Sequence, residues 1–259
     1  MTIDLARVRL IAFDLDDTLA ESKSPMTPEM AQALAHLLDD MLVCIISGGH
    51  FKQFDEQVLG HLPPGTNLAN LHLLPTCGTR YMIYEGGGWR ELYSQNLTDD
   101  EKSRAIRSLF VRAHEVGAWE PDDKISGPRI EDRGTQITYS ALGQRALPAD
   151  KRAWDPSGVK RHALAAAVAA DVPDLSVGAG GSTSIDITRR GVDKAYGLQH
   201  LSQQTGVPLD DMVFVGDRTE PGGNDYPVVQ LGVATIPVTG WRDTMAVVTQ
   251  LCDQLKECR

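Results

Sequence analysis

The sequence has no excess of positive charge. Its 35 acidic side chains outnumber 25 basic ones, giving a formal net charge of −10. That balance excludes a general nucleic-acid binder and an anionic-membrane protein, since both need a basic surface. Cysteine is sparse: Cys44, Cys77, Cys252 and Cys258 form no CxxC pair and sit in apolar or terminal contexts, so reduced thiols are expected. No apolar stretch is long enough to span a bilayer, and the first residues do not resemble a signal peptide, so a cytoplasmic setting is expected. There is no internal repeat, heptad or low-complexity tract. The seven histidines show no HExxH or related metal spacing. Gly178-Ala179-Gly180-Gly181 lacks GxGxxG spacing, which argues against a dinucleotide site there.

What the 259 residues do contain is an ordinary globular composition, 42% hydrophobic and 23% charged, enough to bury a sizeable core. The length is near that at which one core splits into two. Val8 to Phe13 is an apolar run with both faces apolar, as in a strand covered on both sides. Thr27 offers a helix N-cap with Pro28 in the first turn, and Met30, Leu34, Leu37 and Leu38 keep helical spacing. Leu42 to Ile46 predicts a second buried strand, followed by a helix through Gln57, and Leu71 to Thr76 predicts a third strand. This order favours an open parallel sheet with packed helices.

After residue 78 the rhythm changes. Arg80 to Tyr84 and Trp89 to Tyr93 flank Glu85-Gly86-Gly87-Gly88, an antiparallel hairpin. Thr98-Asp99-Asp100-Glu101 fits a capping box opening a helix that stops near Gly117. Alternating stretches at 129–132 and 135–142, an alanine-rich helix from about Pro156 to Ala170, and strands near 175–177 and 183–187 complete an α+β block. The parallel pattern then resumes with a helix capped by Asp193, a strand from Met212 to Val215, a strand from Val233 to Pro237 and a final helix. The expected fold class is α/β: a Rossmann-like parallel-sheet core of residues 1–84 and 188–259, interrupted by an inserted α+β cap domain of residues 85–187.

Carboxylates end two of the predicted strands: Asp14 and Asp16 after the first, and Asp217 with Asn224 and Asp225 after a later one. In open α/β sheets ligands sit beyond the carboxyl ends of strands, so these loops can converge. Oxygen ligands of this kind suit Mg²⁺, which takes a few carboxylates plus water and substrate phosphate. Taken singly, each aspartate is also an ordinary turn former.

The order of these elements resembles the haloacid dehalogenase superfamily. Its first motif, DxDx(T/V), reads Asp14-Leu15-Asp16-Asp17-Thr18. The second supplies Ser47 in CIISGG, the third Lys194 in GVDKAYGL, and the fourth the acidic loop VGDRTEPGGND. The insertion between the second and third motifs resembles the subclass with an α/β cap. GDRTEPGGND, GGHFKQFDEQVLG, ITYSALGQ and SIDITRRGVDK further resemble segments of the eukaryotic-type phosphomannomutases.

The resemblance implies Mg²⁺ held by Asp14, Asp217 and the main-chain carbonyl of Asp16, with Asp14 as nucleophile, Asp16 as proton donor and acceptor, and Lys194 and Ser47 on the phosphoryl oxygens. It implies substrate contacts at Lys23, Gly48, Ser184, Asp186 and Asn224. The mutases hold a second phosphate with cap arginines, which Arg133 matches, whereas another such position is Gln144, with Arg145 displaced by one residue and Lys151 or Arg152 near a third. Since arginine grips phosphate bidentately and glutamine does not, the imperfect grip favours a Mg²⁺-dependent phosphatase of a sugar phosphate or similar metabolite working through an aspartyl phosphate. A hexose phosphomutase and a catalytically silent phospholigand-binding regulator are the alternatives. The expected partners are a small phosphorylated metabolite, neither nucleic acid nor membrane, and a second copy of the chain joined through the cap. Asp17 stands where the mutases usually have glycine and receives no catalytic role.

Overall fold

A computed structural model describes residues 7–257, so Cys258 lies outside the described residues. The chain divides into two compact units, Met1–Ser94 with Asp193–Arg259, and Gln95–Val192.

The first unit is built on a seven-stranded sheet. In chain order its strands are β1 (Leu10–Phe13), β2 (Leu42–Ile46), β3 (Leu71–Leu74), β4 (Arg80–Glu85), β5 (Gly88–Ser94), β10 (Met212–Gly216) and β11 (Ala234–Pro237). They lie in the order β11-β10-β1-β2-β3-β4-β5. The first five in that order are parallel, and β4 and β5 add an antiparallel edge. The central strands β1, β2 and β10 read as unbroken apolar runs because each feeds two cores. Ile11, Phe13, Val43 and Ile45 pack with Met30, Leu34 and Leu37 of α1 (Pro28–Asp40). Leu10, Ala12, Cys44 and Ile46 pack instead with Leu198 and Leu201 of α6 (Lys194–Thr205). Burying each such side chain contributes about 1.5–3 kcal/mol. Thr27 caps α1 by accepting from the Met30 N–H at 3.3 Å, as its sequence predicts.

The two units divide at 94/95 and 192/193, a few residues beyond the expected boundaries at 84/85 and 187/188. The hairpin partner β5 pairs with β4 along its length, from Arg80↔Ser94 to Glu85↔Gly88, which carries the first crossing out to Ser94. Backbone pairing outweighs the change of sequence rhythm at residue 78. On the return the first unit begins again at Asp193, the residue that caps α6.

The second unit is a four-stranded antiparallel sheet, β6 (Ile130–Asp132), β7 (Ile137–Ser140), β8 (Leu175–Ala179) and β9 (Ser184–Arg189), in the order β6-β7-β9-β8. Ile137, Tyr139, Ile185 and Ile187 pack with Ala105 and Leu109 of α3 (Asp99–Glu115) and Leu164 and Val168 of α5 (Val159–Asp171). The capping box at Thr98 and Glu101 is formed on both sides. The alanine-rich helix starts at Val159 rather than Pro156. Gly158 takes the left-handed conformation (φ 74°) before it, and the Asp155 carboxylate accepts from the Lys160 and Arg161 N–H groups at 3.3 and 3.0 Å. A short helix α4 (Pro148–Trp154) precedes it and was not anticipated. Among the described residues no helix is long and apolar enough to cross a membrane.

Candidate active site

Parallel strands that share a register end at one edge. Phe13 is level with Ile45 on β2 and Val215 on β10, so the residues that follow, Asp14, Ser47 and Asp217, emerge side by side about one strand spacing apart. Lys194 joins them from the first turn of α6, with Asp193 as N-cap accepting from the Tyr196 N–H at 3.0 Å. That helix approaches so closely because two glycines meet: a Cβ on Gly78 would lie 2.5 Å from the Gly197 Cα, and one on Gly197 would lie 2.7 Å from the Ile46 Cδ1.

Lys194 is fully buried. Its Nζ donates to Asp14 Oδ1 and to Asp225 Oδ1, each at 2.5 Å. Asp14, Asp217 and Asp225 each present a carboxylate oxygen within 4.8 Å of the others. Three carboxylates thus share one ammonium, leaving an excess of two negative charges in a largely dry site. The consequences run in one direction. Burial, then Asp225 and Asp217, raise the Asp14 carboxyl well above its ordinary range against the pull of Lys194. Burial and Asp225 push Asp217 up to about 6. Burial works against the charge on Lys194, but Asp14 and Asp225 outweigh it and keep the ammonium protonated. An excess of two charges among hard oxygen donors fits a divalent cation. Asp225 was weighed in the sequence only as a strand-end carboxylate beside Asn224. In the structure it is fully buried, and its second oxygen accepts from the Arg218 N–H at 3.0 Å, which makes it the residue that orients Lys194. Its spacing from Asp217 within one glycine-containing loop was the available signal. Asn224 itself is half-buried beside it.

Ser47 is buried, and its Oγ accepts from the Gly49 N–H at 3.1 Å, so its own proton is available to a ligand. Gly48, between them, is half-buried. The Asp16 side chain lies outside the acidic cluster. Its Oδ1 accepts from the Lys23 N–H at 2.7 Å and from Gln57 Nε2 at 3.4 Å, and its Oδ2 accepts from Gln53 Nε2 at 2.8 Å. The Lys23 ammonium stands 3.5 Å from Oδ2. Burial works to raise the Asp16 carboxyl, but the charge of Lys23 and these donors outweigh it and hold it below the usual carboxylate range. Gln53 and Gln57 went unassigned in the sequence. They sit four apart on α2 (Phe51–Gln57), hence on one face. Asp17 now has a structural account. It adopts φ 61°, a left-handed conformation that aspartate tolerates better than most residues, and its Oδ1 accepts from the Ser22 N–H at 3.1 Å.

The remaining predicted substrate residues lie in the second unit. Glu131, Thr138 and Asp186 are level across β6, β7 and β9, and Ser140 is level with Ser184. Thr138 Oγ1 donates to Asp186 Oδ1 at 2.7 Å. Arg133 is nearly buried, with Nε and Nη2 both 2.7 Å from Glu131 Oε2. Arg145 is exposed and lines a cleft of 410 Å³ with Lys124, Ser126 and Asp150. It lies beyond the end of β7 at Ser140, so strand parity does not decide which way its one-residue displacement turns it. Lys151 Nζ donates to the Gln144 carbonyl at 2.9 Å, and Arg152 is exposed.

The chain is similar to known proteins along most of its length. A family model for eukaryotic phosphomannomutase matches residues 126–254. The phosphomannomutase of Saccharomyces cerevisiae is 26% identical over 253 residues, covering 93% of each chain. Among solved structures, the C-terminal domain of C. albicans trehalose-6-phosphate phosphatase superposes with a TM-score of 0.66 at 15% identity, covering 96% of this chain and 93% of that one. The IMP-bound, N-terminally truncated IMP-nucleotidase of Plasmodium falciparum gives a TM-score of 0.66 at 14% identity over 96% and 71%. These two likenesses speak to the fold.

Proposed function

We propose that the chain is a phosphoryl-transfer enzyme of the haloacid dehalogenase superfamily with a phosphomannomutase-type relationship, and within it a Mg²⁺-dependent phosphatase of a sugar phosphate or similar small phosphorylated metabolite. Asp14, Asp217 and the Asp16 carbonyl would hold the cation. When bound, Mg²⁺ supplies positive charge against the phosphoryl oxygens and lets an anionic nucleophile approach.

This chain's residues do the rest. Lys194 and the Ser47 hydroxyl hold phosphoryl oxygens. With Oδ1 of Asp14 engaged by Lys194, Oδ2 attacks phosphorus. The new O–P bond forms as the bond to the sugar oxygen breaks, and that oxygen leaves with its electron pair and takes a proton from Asp16. Lys23 holds Asp16 ionised in the free protein, so this proton arrives with the substrate, whose phosphate has a second pKa of about 6 and is partly monoanionic at neutral pH. Asp16 then takes a proton from water, which attacks phosphorus, frees Asp14 and releases inorganic phosphate.

Support for water as the acceptor comes from one observation. Arg133, the residue matching a second-phosphate contact, is already paired with Glu131. The second reading, a hexose phosphomutase, is favoured by the names of the relatives. A homodimer through the second unit belongs to the same proposal; α3 exposes Ile106, Phe110 and Val111 on one flank, and sedimentation velocity tests it. A cytoplasmic setting is also part of this reading. The activity is tested with a panel of phosphosugars, with and without a hexose 1,6-bisphosphate. Phosphate release that is lost in EDTA and in Asp14→Asn is expected, and isomer exchange without net release would overturn the phosphatase reading.

A further inference from the structure

Asp16 is held by Lys23, Gln53 and Gln57, and of these Gln53 also holds the Lys23 ammonium in place. Gln53 is 7% exposed. Its Nε2 donates to Asp16 Oδ2 at 2.8 Å, while its Oε1 accepts from Lys23 Nζ at 2.5 Å. The amide donates a hydrogen bond to the carboxylate through its nitrogen and accepts one from the ammonium through its oxygen at once. A glutamate there would lose the donor and place a second negative charge beside Asp16. The amide is itself wedged: a Cβ on Gly49 would lie 2.3 Å from Gln53 Oε1, so the glycine is needed to admit the side chain. Lys23 completes the bracket from a left-handed conformation, φ 59°, which aims its N–H at Asp16 Oδ1 at 2.7 Å. A lysine in that region is uncommon, and backbone strain of this kind gathers at functional loops.

We propose that Gln53 is a positioning residue for proton transfer: seated against Gly49, its amide fixes the Asp16 carboxylate and the Lys23 ammonium in the orientation from which Asp16 meets the leaving oxygen. The inference rests on the proposed role of Asp16 as the acid of the first step.

The test uses leaving groups of different need. A hexose oxygen must be protonated as it departs, whereas p-nitrophenolate leaves without help. The first-turnover release of hexose from a hexose 6-phosphate and of p-nitrophenolate from p-nitrophenyl phosphate is measured by rapid quench with Mg²⁺ for the unmodified protein, Asp16→Asn, Gln53→Ala, Gln53→Glu and Gly49→Ala. General acid catalysis is worth roughly 10²–10⁴-fold, and misplacing its donor by about 1 Å forfeits up to about 10²-fold. Both Gln53 variants are therefore expected to slow hexose release by about tenfold to 10²-fold, with KM for the hexose phosphate unchanged and p-nitrophenolate release altered by less than about twofold.

Gly49→Ala guards against misfolding as the explanation. The displaced atom is the far end of a flexible side chain, so the fold can accommodate the methyl group while the amide leaves Asp16, and the same selective loss is expected. Equal loss on both substrates in the Gln53 and Gly49 variants, or no loss on either, overturns the inference. Asp16→Asn separates the two levels. If it slows hexose release selectively and the Gln53 variants do not, the positioning role fails alone; if it slows both substrates equally, the role of Asp16 fails and this inference falls with it.

Discussion

Removing the Lys194 ammonium should destabilise the first unit in a way that grows with pH. Lys194 lies wholly buried between Asp14 Oδ1 and Asp225 Oδ1, 2.5 Å from each. Lys194→Met keeps most of the volume but leaves two buried carboxylates without their cation. Breaking a buried pair by removing one partner costs about 3–5 kcal/mol, which for a protein of this size is a fall of roughly 6–20 °C in the unfolding midpoint. The pH dependence follows from the sign of the shift. Without the ammonium, the pull that opposes burial at Asp14 is gone, and its carboxyl, already raised by burial and by its neighbours, rises further above its unfolded value of about 4. Such a group is protonated and harmless at low pH, and stability is lost as pH rises from the unfolded value to the raised one, by up to about 1.4 kcal/mol per pH unit. The variant should therefore be close to the unmodified protein at pH 5 and far less stable at pH 8. Urea unfolding in EDTA, followed by far-UV circular dichroism and tryptophan fluorescence, reads this directly. Lys194→Met/Asp225→Asn should recover at least about 1 kcal/mol at pH 8, because one uncompensated charge is gone. A loss below about 1 kcal/mol at pH 8, or the same loss at both pH values, would refute the reasoning.

Mg²⁺ affinity should weaken as pH falls, by up to about tenfold per unit below about pH 6. Asp217, raised to about 6, binds a proton there that the cation must displace; calorimetry in buffers of different ionisation enthalpy should record proton release on binding at pH 6. Glu131→Ala should remove the carboxylate that pairs with Arg133 at 2.7 Å and tighten inhibition by a hexose 1,6-bisphosphate roughly tenfold or more, the worth of a hydrogen bond to a charged group; unchanged inhibition would count against the phosphatase reading. Thr98→Ala should cost about 1 kcal/mol by opening the capping box at α3, seen as a lower urea midpoint with an unchanged slope.

The sequence by itself determined the parallel core and the residues at its carboxyl edge. Strands buried on both faces must be apolar throughout, so LIAF and LVCII are legible without neighbours, and Asp14, Ser47 and Lys194 follow or precede such elements at fixed places. Helix starts at Thr27, Thr98 and Asp193 were legible because a cap is made within four residues of its own helix. Tertiary structure decided what depends on partners far along the chain. The hairpin joined the first unit because its strands pair with β3 and each other, a choice that local periodicity does not encode. Asp225 became the orienting partner of Lys194 through a contact between residues 31 apart. Gln53 reached Asp16 across 37 residues, adding to Lys23 in holding the Asp16 carboxyl below its usual range. A carboxylate's place in a motif is written locally, but its charge state is set by what surrounds it, and those neighbours come together only when the sheet and its helices are assembled.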